Sequence, residues 1–457
     1  MSVLLNEQGV PLLTGAASDF GVNFHWGIST SAYQTEGAYL DDGKGPSIWD
    51  DFSNRKGKIA DGSSGNEACE FYYRYEQDLH ILKELGIKNF RFSISWSRLL
   101  PDGFGTVNPH GLAYYERLID TCLKFEITPW ITLYHWDLPL ALEKKGGWAN
   151  REILHWFQQF AHLCASQFGD RVKHWMVLNE PLVFTGAGYF FGIHAPGKKG
   201  MSNFLAAAHH AAMCQAIGGK VLRETVKDAY IGTTVSCSHV TPHSEQSRHI
   251  KAAQKVDALI NRFFVEPFLG LGYPLKELKG LNMIEKFVKG NDMDELAFDF
   301  DFLGIQSYTR EIVKHSMFTP VIRAKLVPAE KRSAPLTAMN WEIYPEGMYH
   351  LLKKFSAYKG IKKIIVTENG AAFEDLAEGS IVRDAQRIDY LRIHLAQIRK
   401  AKEEGAPVEG YFVWTFLDNF EWAEGYRPRF GLVYVDFKNQ QRIIKQSALW
   451  YAEYISK

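Results

Sequence analysis

The sequence predicts a single closed (β/α)8 barrel, on three observations. Eight short apolar runs alternate with helical stretches along the 457 residues. Several runs end on polar residues with useful chemistry, which is where barrel enzymes carry them. No Pro/Ser-rich linker, repeat or low-complexity tract breaks the alternation, so residues 1–457 read as one catalytic barrel domain with long loops after the strands. A doubly wound sheet is the competing fold, but its glycine-rich phosphate fingerprint is missing.

The strands are expected at 24–29, 89–96, 128–136, 174–179, 230–236, 300–308, 363–368 and 410–416. Helices are expected at 70–85, 111–125 and 151–168, before the second, third and fourth strands. In the last of these Leu154, Phe157, Phe160, Ala161 and Phe168 recur at helical spacing. A long helix at 383–404 opens near Asp384 and gathers Arg and Lys toward its end, as the helix dipole favours.

Composition narrows the function classes. Hydrophobic residues make up 46% and charged residues 23%, enough for a large core. Lys+Arg and Asp+Glu each number 52, and no basic stripe stands out, which argues against a nucleic-acid partner. No apolar run approaches membrane-spanning length, and the N-terminus lacks the basic and apolar parts of a signal peptide. Cys69, Cys122, Cys164, Cys214 and Cys237 are scattered without a C-x-x-C pair. They read as reduced, buried thiols of a cytoplasmic protein. The 16 histidines form no metal motif, and no cofactor or metal is expected. Asp41-Asp42 and Asp50-Asp51 read as solvated loop charge. Homo-oligomerisation is left open.

Two strand ends carry the chemistry. The run ending Val177-Leu178-Asn179-Glu180 stops at Pro181, and Ile364-Ile365-Val366-Thr367-Glu368 stops at Asn369-Gly370. A carboxylate at the mouth of a buried strand is costly to desolvate. Two facing one pocket supply the proton donor and the nucleophile or base that glycoside hydrolysis requires. The 14% aromatic content, with 12 Trp, suits a site that stacks on sugar faces. Either Glu alone could instead cap the following helix.

The neighbours fit the same chemistry. Arg91 is a cation inside an apolar strand and needs a carboxylate partner. Pairing with Glu368 would lower that residue's pKa and keep it nucleophilic; another acid is the alternative. Tyr308 either hydrogen-bonds the same carboxylate or is a core aromatic. Asn179 either binds a sugar 2-hydroxyl or serves the turn before Pro181. His135, beside an exposed Trp136 at a strand end, is placed to bond a hydroxyl.

These residues sit in a dense, ordered set of motifs. They are WGISTSAYQTEG at 26–37, NFRFSISWSR at 89–98, LYHWDLP at 133–139, LNEP at 178–181, WEIYP at 341–345, TENG at 367–370, and WTFLDNFEW at 414–422 leading into RFGLVY at 429–434. In this the chain resembles glycoside hydrolase family 1, the retaining β-glucosidases. The resemblance implies Glu180 as acid/base and Glu368 as nucleophile. It implies sugar binding by Gln34, His135, Asn179, Glu421 and Trp422, with Trp136 beside them. Trp414 would lie under the ring, Trp341 would flank the aglycone and Phe430 would stand near O6. The implied substrate is a small β-glycoside, with terminal β-glucosyl residues removed by hydrolysis; mainly β-galactosidase, β-fucosidase or transglycosylation activity is the alternative. Glu421 disfavours 6-phosphosugars, since a carboxylate repels phosphate. The sequence departs from the family at Gln306-Ser307-Tyr308, where Asn-Tyr-Tyr is usual, which bears on the positioning of Tyr308.

Overall fold

The computed structural model describes residues 15–319 and 321–457. The reading of the N-terminus and the first residues of the expected domain lie outside them. Eight parallel strands form a closed barrel. They are β1 (His25–Ser29), β2 (Asn89–Ser93), β3 (Thr128–Tyr134), β4 (His174–Asn179), β5 (Tyr230–Ser236), β6 (Phe302–Gln306), β7 (Ile364–Asn369) and β8 (Val408–Trp414). Each pairs with its sequence neighbour, and β1 closes the ring on β8 with His25 opposite Gly410 and Ser29 opposite Trp414.

All eight expected strands are present, but four end early, β8 among them at Trp414. β2 gives way to the short helix Trp96–Leu99, β3 stops before His135-Trp136, and β6 stops at Gln306. Tyr308 and Trp136 therefore stand on irregular backbone beyond the ladder. The expected helices are found at Phe71–Glu84, Pro109–Lys124, Ile153–Phe168 and Ala385–Glu403. Met201–Thr225 forms a further long helix, buried over most of its length against Ile153–Phe168.

The barrel interior is packed rather than open. Trp130, Met176, Phe302, Ile365 and Phe412 form one buried cluster, with Trp130 reaching Phe412 at 5.0 Å between ring centres. The polar layer of the site lies on this plug, where Arg91 Nε meets Met176 Sδ at 3.1 Å. The ends of β7 and β8 come so close that a Cβ on Gly370 would fall 1.8 Å from the Trp414 carbonyl oxygen, so only glycine fits there.

Outside the barrel, strands His239–Pro242, Arg310–His315 and Ala324–Leu326 make a small separate sheet. All five cysteines are free and buried. Asp50 corrects the reading of the acidic loops. It is buried, closes a capping box with Ser47 and pairs with Lys44 at 2.9 Å. Among the described residues no helix is long and apolar enough to cross a membrane. No group of three or more His, Cys, Asp or Glu among them is placed to hold a metal ion.

Candidate active site

The end of β4 delivers the first carboxylate. The backbone turns left-handed at Glu180, with φ 46° and ψ 63°, and Pro181 starts the helix Pro181–Gly186 at once. Glu180 thus occupies the cap position, yet its side chain makes no cap bond. It lines a cavity of about 330 Å³ instead, together with Glu368 at the end of β7. Two other wall residues share the left-handed backbone, Trp136 at φ 80° and Trp422 at φ 49°. Each such non-glycine residue costs about 1–3 kcal/mol and persists because the surroundings enforce it.

Glu368 is held by three donors from three elements. Arg91 of β2 donates from Nη1 to Oε1, Gln306 of β6 from Nε2 to Oε1 at 2.7 Å, and Tyr308 from its hydroxyl to Oε2 at 2.7 Å. Arg91 is wholly buried and uses its other donors nearby: Nη2 on Asn179 Oδ1 at 2.6 Å and Nε on Thr132 Oγ1 at 3.1 Å. Asn179 Oδ1 also accepts from Gln306 Nε2 at 2.8 Å and Thr234 Oγ1 at 3.0 Å. Its amide nitrogen lies 3.0 Å from His135 Nε2. The departure at Gln306 leaves Tyr308 on Glu368, with the longer amide directed between the strands to Asn179 and Glu368.

The electrostatics separate the two carboxyls. Burial pushes Glu180 well above the usual carboxylate range, and the charge of Glu368 pushes the same way. Burial also raises Glu368, while Arg91 and Tyr308 pull it back. Arg91 thus lowers the Glu368 pKa as expected, but desolvation outweighs the cation and leaves the carboxyl above its ordinary value. The asymmetry survives, because the donors that favour the ionised form converge on Glu368. The shared proton belongs on Glu180.

The rest of the wall is aromatic and acidic. Trp414, Trp341 and Phe430 line the cavity on one side, where Tyr308 and Trp341 meet at 5.2 Å. His135 lies 5.9 Å from both Trp414 and Trp422, near parallel to each. Burial holds His135 well below its usual pKa, so it is neutral, and its Nδ1 has no partner. Burial and Glu368 push Glu421 up to about 8. Gln34 is not on the wall. It lies behind it, donating to Glu421 Oε2 at 3.3 Å and Asn419 Oδ1 at 3.2 Å. Trp136 is buried rather than exposed: its indole N–H is used on the Asn179 carbonyl at 2.9 Å and its ring packs on Trp422 at 4.6 Å.

Sequence reasoning missed several wall residues, among them His194, Ser236, Cys237, Ser238 and Met339. Ser236 carried a signal, as the last residue of β5. The others sit in loops whose course no periodicity reveals.

The closed barrel and the paired carboxyls define a glycoside-hydrolysing enzyme. The model of glycosyl hydrolase family 1 matches residues 16–457. Beta-glucosidase A of Thermotoga maritima is 45% identical over 441 residues, covering 95% of this chain and 97% of that protein. A 1,4-beta-D-glucan glucohydrolase of Thermotoga neapolitana is 45% identical over 438 residues, with 95% and 98% covered. The solved beta-glucosidase from Thermotoga maritima in complex with deoxynojirimycin superposes with a TM-score of 0.91 at 44% identity, covering 95% of this chain and 98% of that one. The chain belongs to glycosyl hydrolase family 1.

Proposed function

We propose that the protein is a retaining β-glucosidase, removing terminal non-reducing β-D-glucosyl residues from oligosaccharides and from aryl or alkyl β-glucosides. One observation carries the reading of mechanism: two buried carboxyls face one cavity, and Arg91, Gln306 and Tyr308 all converge on Glu368 while, among the described residues, Ser236 alone reaches Glu180. Glu180 gives its proton to the glycosidic oxygen as the bond from C1 to that oxygen breaks. A carboxylate oxygen of Glu368 bonds to C1, and the aglycone leaves as an alcohol. Glu180, now ionised, takes a proton from water. The water oxygen attacks C1, the glycosyl ester breaks and Glu368 returns as carboxylate. Two inversions at C1 give net retention.

The remaining roles follow from position. Arg91 and Tyr308 keep Glu368 ionised and aimed. The unpartnered Nδ1 of His135 and the amide of Asn179 meet sugar hydroxyls, and Glu421 holds the outer ones with Gln34 behind it. Trp414 lies under the sugar ring with Phe430 near O6, Trp422 and Trp136 close the far side, and Trp341 flanks the aglycone. We place the whole chain in one catalytic domain working in a reducing cytoplasm, consistent with five free thiols. The test is a panel of chromogenic aryl β-glycosides (glucoside, galactoside, fucoside, mannoside and 6-phosphoglucoside) with a Glu368→Gln control. Turnover of the glucoside with first release of the β-anomer by NMR supports the reading. An inert glucoside, or first release of the α-anomer, overturns it.

A further inference from the structure

We propose that Gln306 is a positioning residue whose single amide nitrogen ties the nucleophile to the residue facing the sugar 2-hydroxyl; this rests on the mechanism above. Gln306 ends β6, wholly buried, directly across the ladder from Glu368. Its Nε2 carries two hydrogens and has two close acceptors, Glu368 Oε1 at 2.7 Å and Asn179 Oδ1 at 2.8 Å. Thr234 Oγ1 is farther, at 3.3 Å. The side-chain carbonyl of Gln306 is buried with no partner. A buried amide with an orphaned acceptor is kept in place by what its donor side holds.

The consequence reaches two groups. Glu368 faces the ionisable Arg91, Glu180 and Glu421, and Gln306 adds a second neutral donor beside the Tyr308 hydroxyl. Removing that donor disfavours the carboxylate. Asn179 Oδ1 accepts from Arg91, Gln306 and Thr234 together, which fixes the amide so that its nitrogen points to His135. Loosening it frees the nitrogen that the 2-hydroxyl needs in the transition state. An asparagine, one methylene shorter, cannot span both acceptors.

The experiment measures kcat/KM against pH for an aryl β-glucoside and its 2-deoxy analogue, with the unmutated protein, Gln306→Met and Gln306→Asn. For Gln306→Met the acidic limb should rise by about one pH unit. The preference for glucoside over 2-deoxyglucoside should shrink about threefold or more, because the two deletions act on one interaction. A purely structural loss would lower both substrates equally and leave the limb in place, overturning the proposal. A limb that rises with an unchanged preference overturns the link to Asn179; the reverse overturns the link to Glu368. Gln306→Asn keeps an amide and guards against misfolding of the Met variant: at most one of its readouts should match the unmutated protein, and two matches overturn the bridge. If the unmutated enzyme is itself inert toward the glucoside, the mechanism fails and takes the proposal with it.

Discussion

Replacing Arg91 by methionine removes the buried cation of the site at nearly constant volume. Arg91 is fully buried, its partner Glu368 is 5% exposed at the side chain, and Tyr308 and Gln306 are the donors that remain. Breaking a buried ion pair leaves an uncompensated charge costing about 3–5 kcal/mol. A carboxyl escapes most of that by taking up a proton, and one pKa unit corresponds to about 1.4 kcal/mol. The pKa of Glu368 should therefore rise by about two units or more. On the acidic limb, below the pKa of the unmutated enzyme, kcat/KM should fall about a hundredfold from ionisation alone, and by less as pH rises past it. The assay is the pH profile of kcat/KM on an aryl β-glucoside for the unmutated enzyme, Arg91→Lys and Arg91→Met. The acidic limb should move little with lysine, which keeps the charge, and strongly upward with methionine. A methionine variant that loses activity with its acidic limb unmoved would refute the reasoning, because Arg91 would then act through packing and not through charge.

Three further outcomes are expected. Glu180→Gln should show a rapid burst and then slow turnover with a dinitrophenyl β-glucoside, whose leaving group needs no acid, and mass spectrometry should find a hexosyl adduct; absence of both would remove Glu180 from its role. Lys445, wholly buried between Asp375 and Asp418, should cost about 3–5 kcal/mol in urea unfolding when replaced by methionine, and a cost near zero would contradict the burial. His394 is buried, and desolvation lowers it from 6.5 to about 4. The unfolded chain binds the proton first, so His394 contributes stability above about pH 6.5 that is lost as pH falls toward 4, roughly 3 kcal/mol in all. His394→Gln should accordingly narrow the difference in Tm between pH 7 and pH 4.5, and an unchanged difference would count against it.

The barrel was legible because its strands are buried on both faces. Continuous apolar runs such as Ile364-Ile365-Val366 announce themselves, and the rim residues follow from where the runs stop. Met201–Thr225 was not, for the opposite reason: a helix covered on nearly every side carries no polar stripe to set its period. The small sheet of His239–Pro242, Arg310–His315 and Ala324–Leu326 escaped because its strands are partly exposed and rich in polar residues. At the site, Glu180, Glu368, Arg91 and Tyr308 were readable one by one. The bonds from Gln306 to Glu368 and Asn179 were not, since a bond across barrel strands leaves no mark in local spacing. Trp136 misled for a related reason: a left-handed turn folds it inward, and φ is not written in residue type.

The order of the cavity residues along the chain has a consequence for synthesis. Arg91 and Glu180 belong to the first half, Glu368 comes late, and Glu421, Trp422 and Phe430 follow the last strand. β1 closes the ring only on β8. A nascent chain on the ribosome therefore holds no finished pocket until almost all of it has emerged, and a prematurely terminated product is catalytically silent however well its first strands pair. Enzymatic turnover is in effect a reporter of complete synthesis.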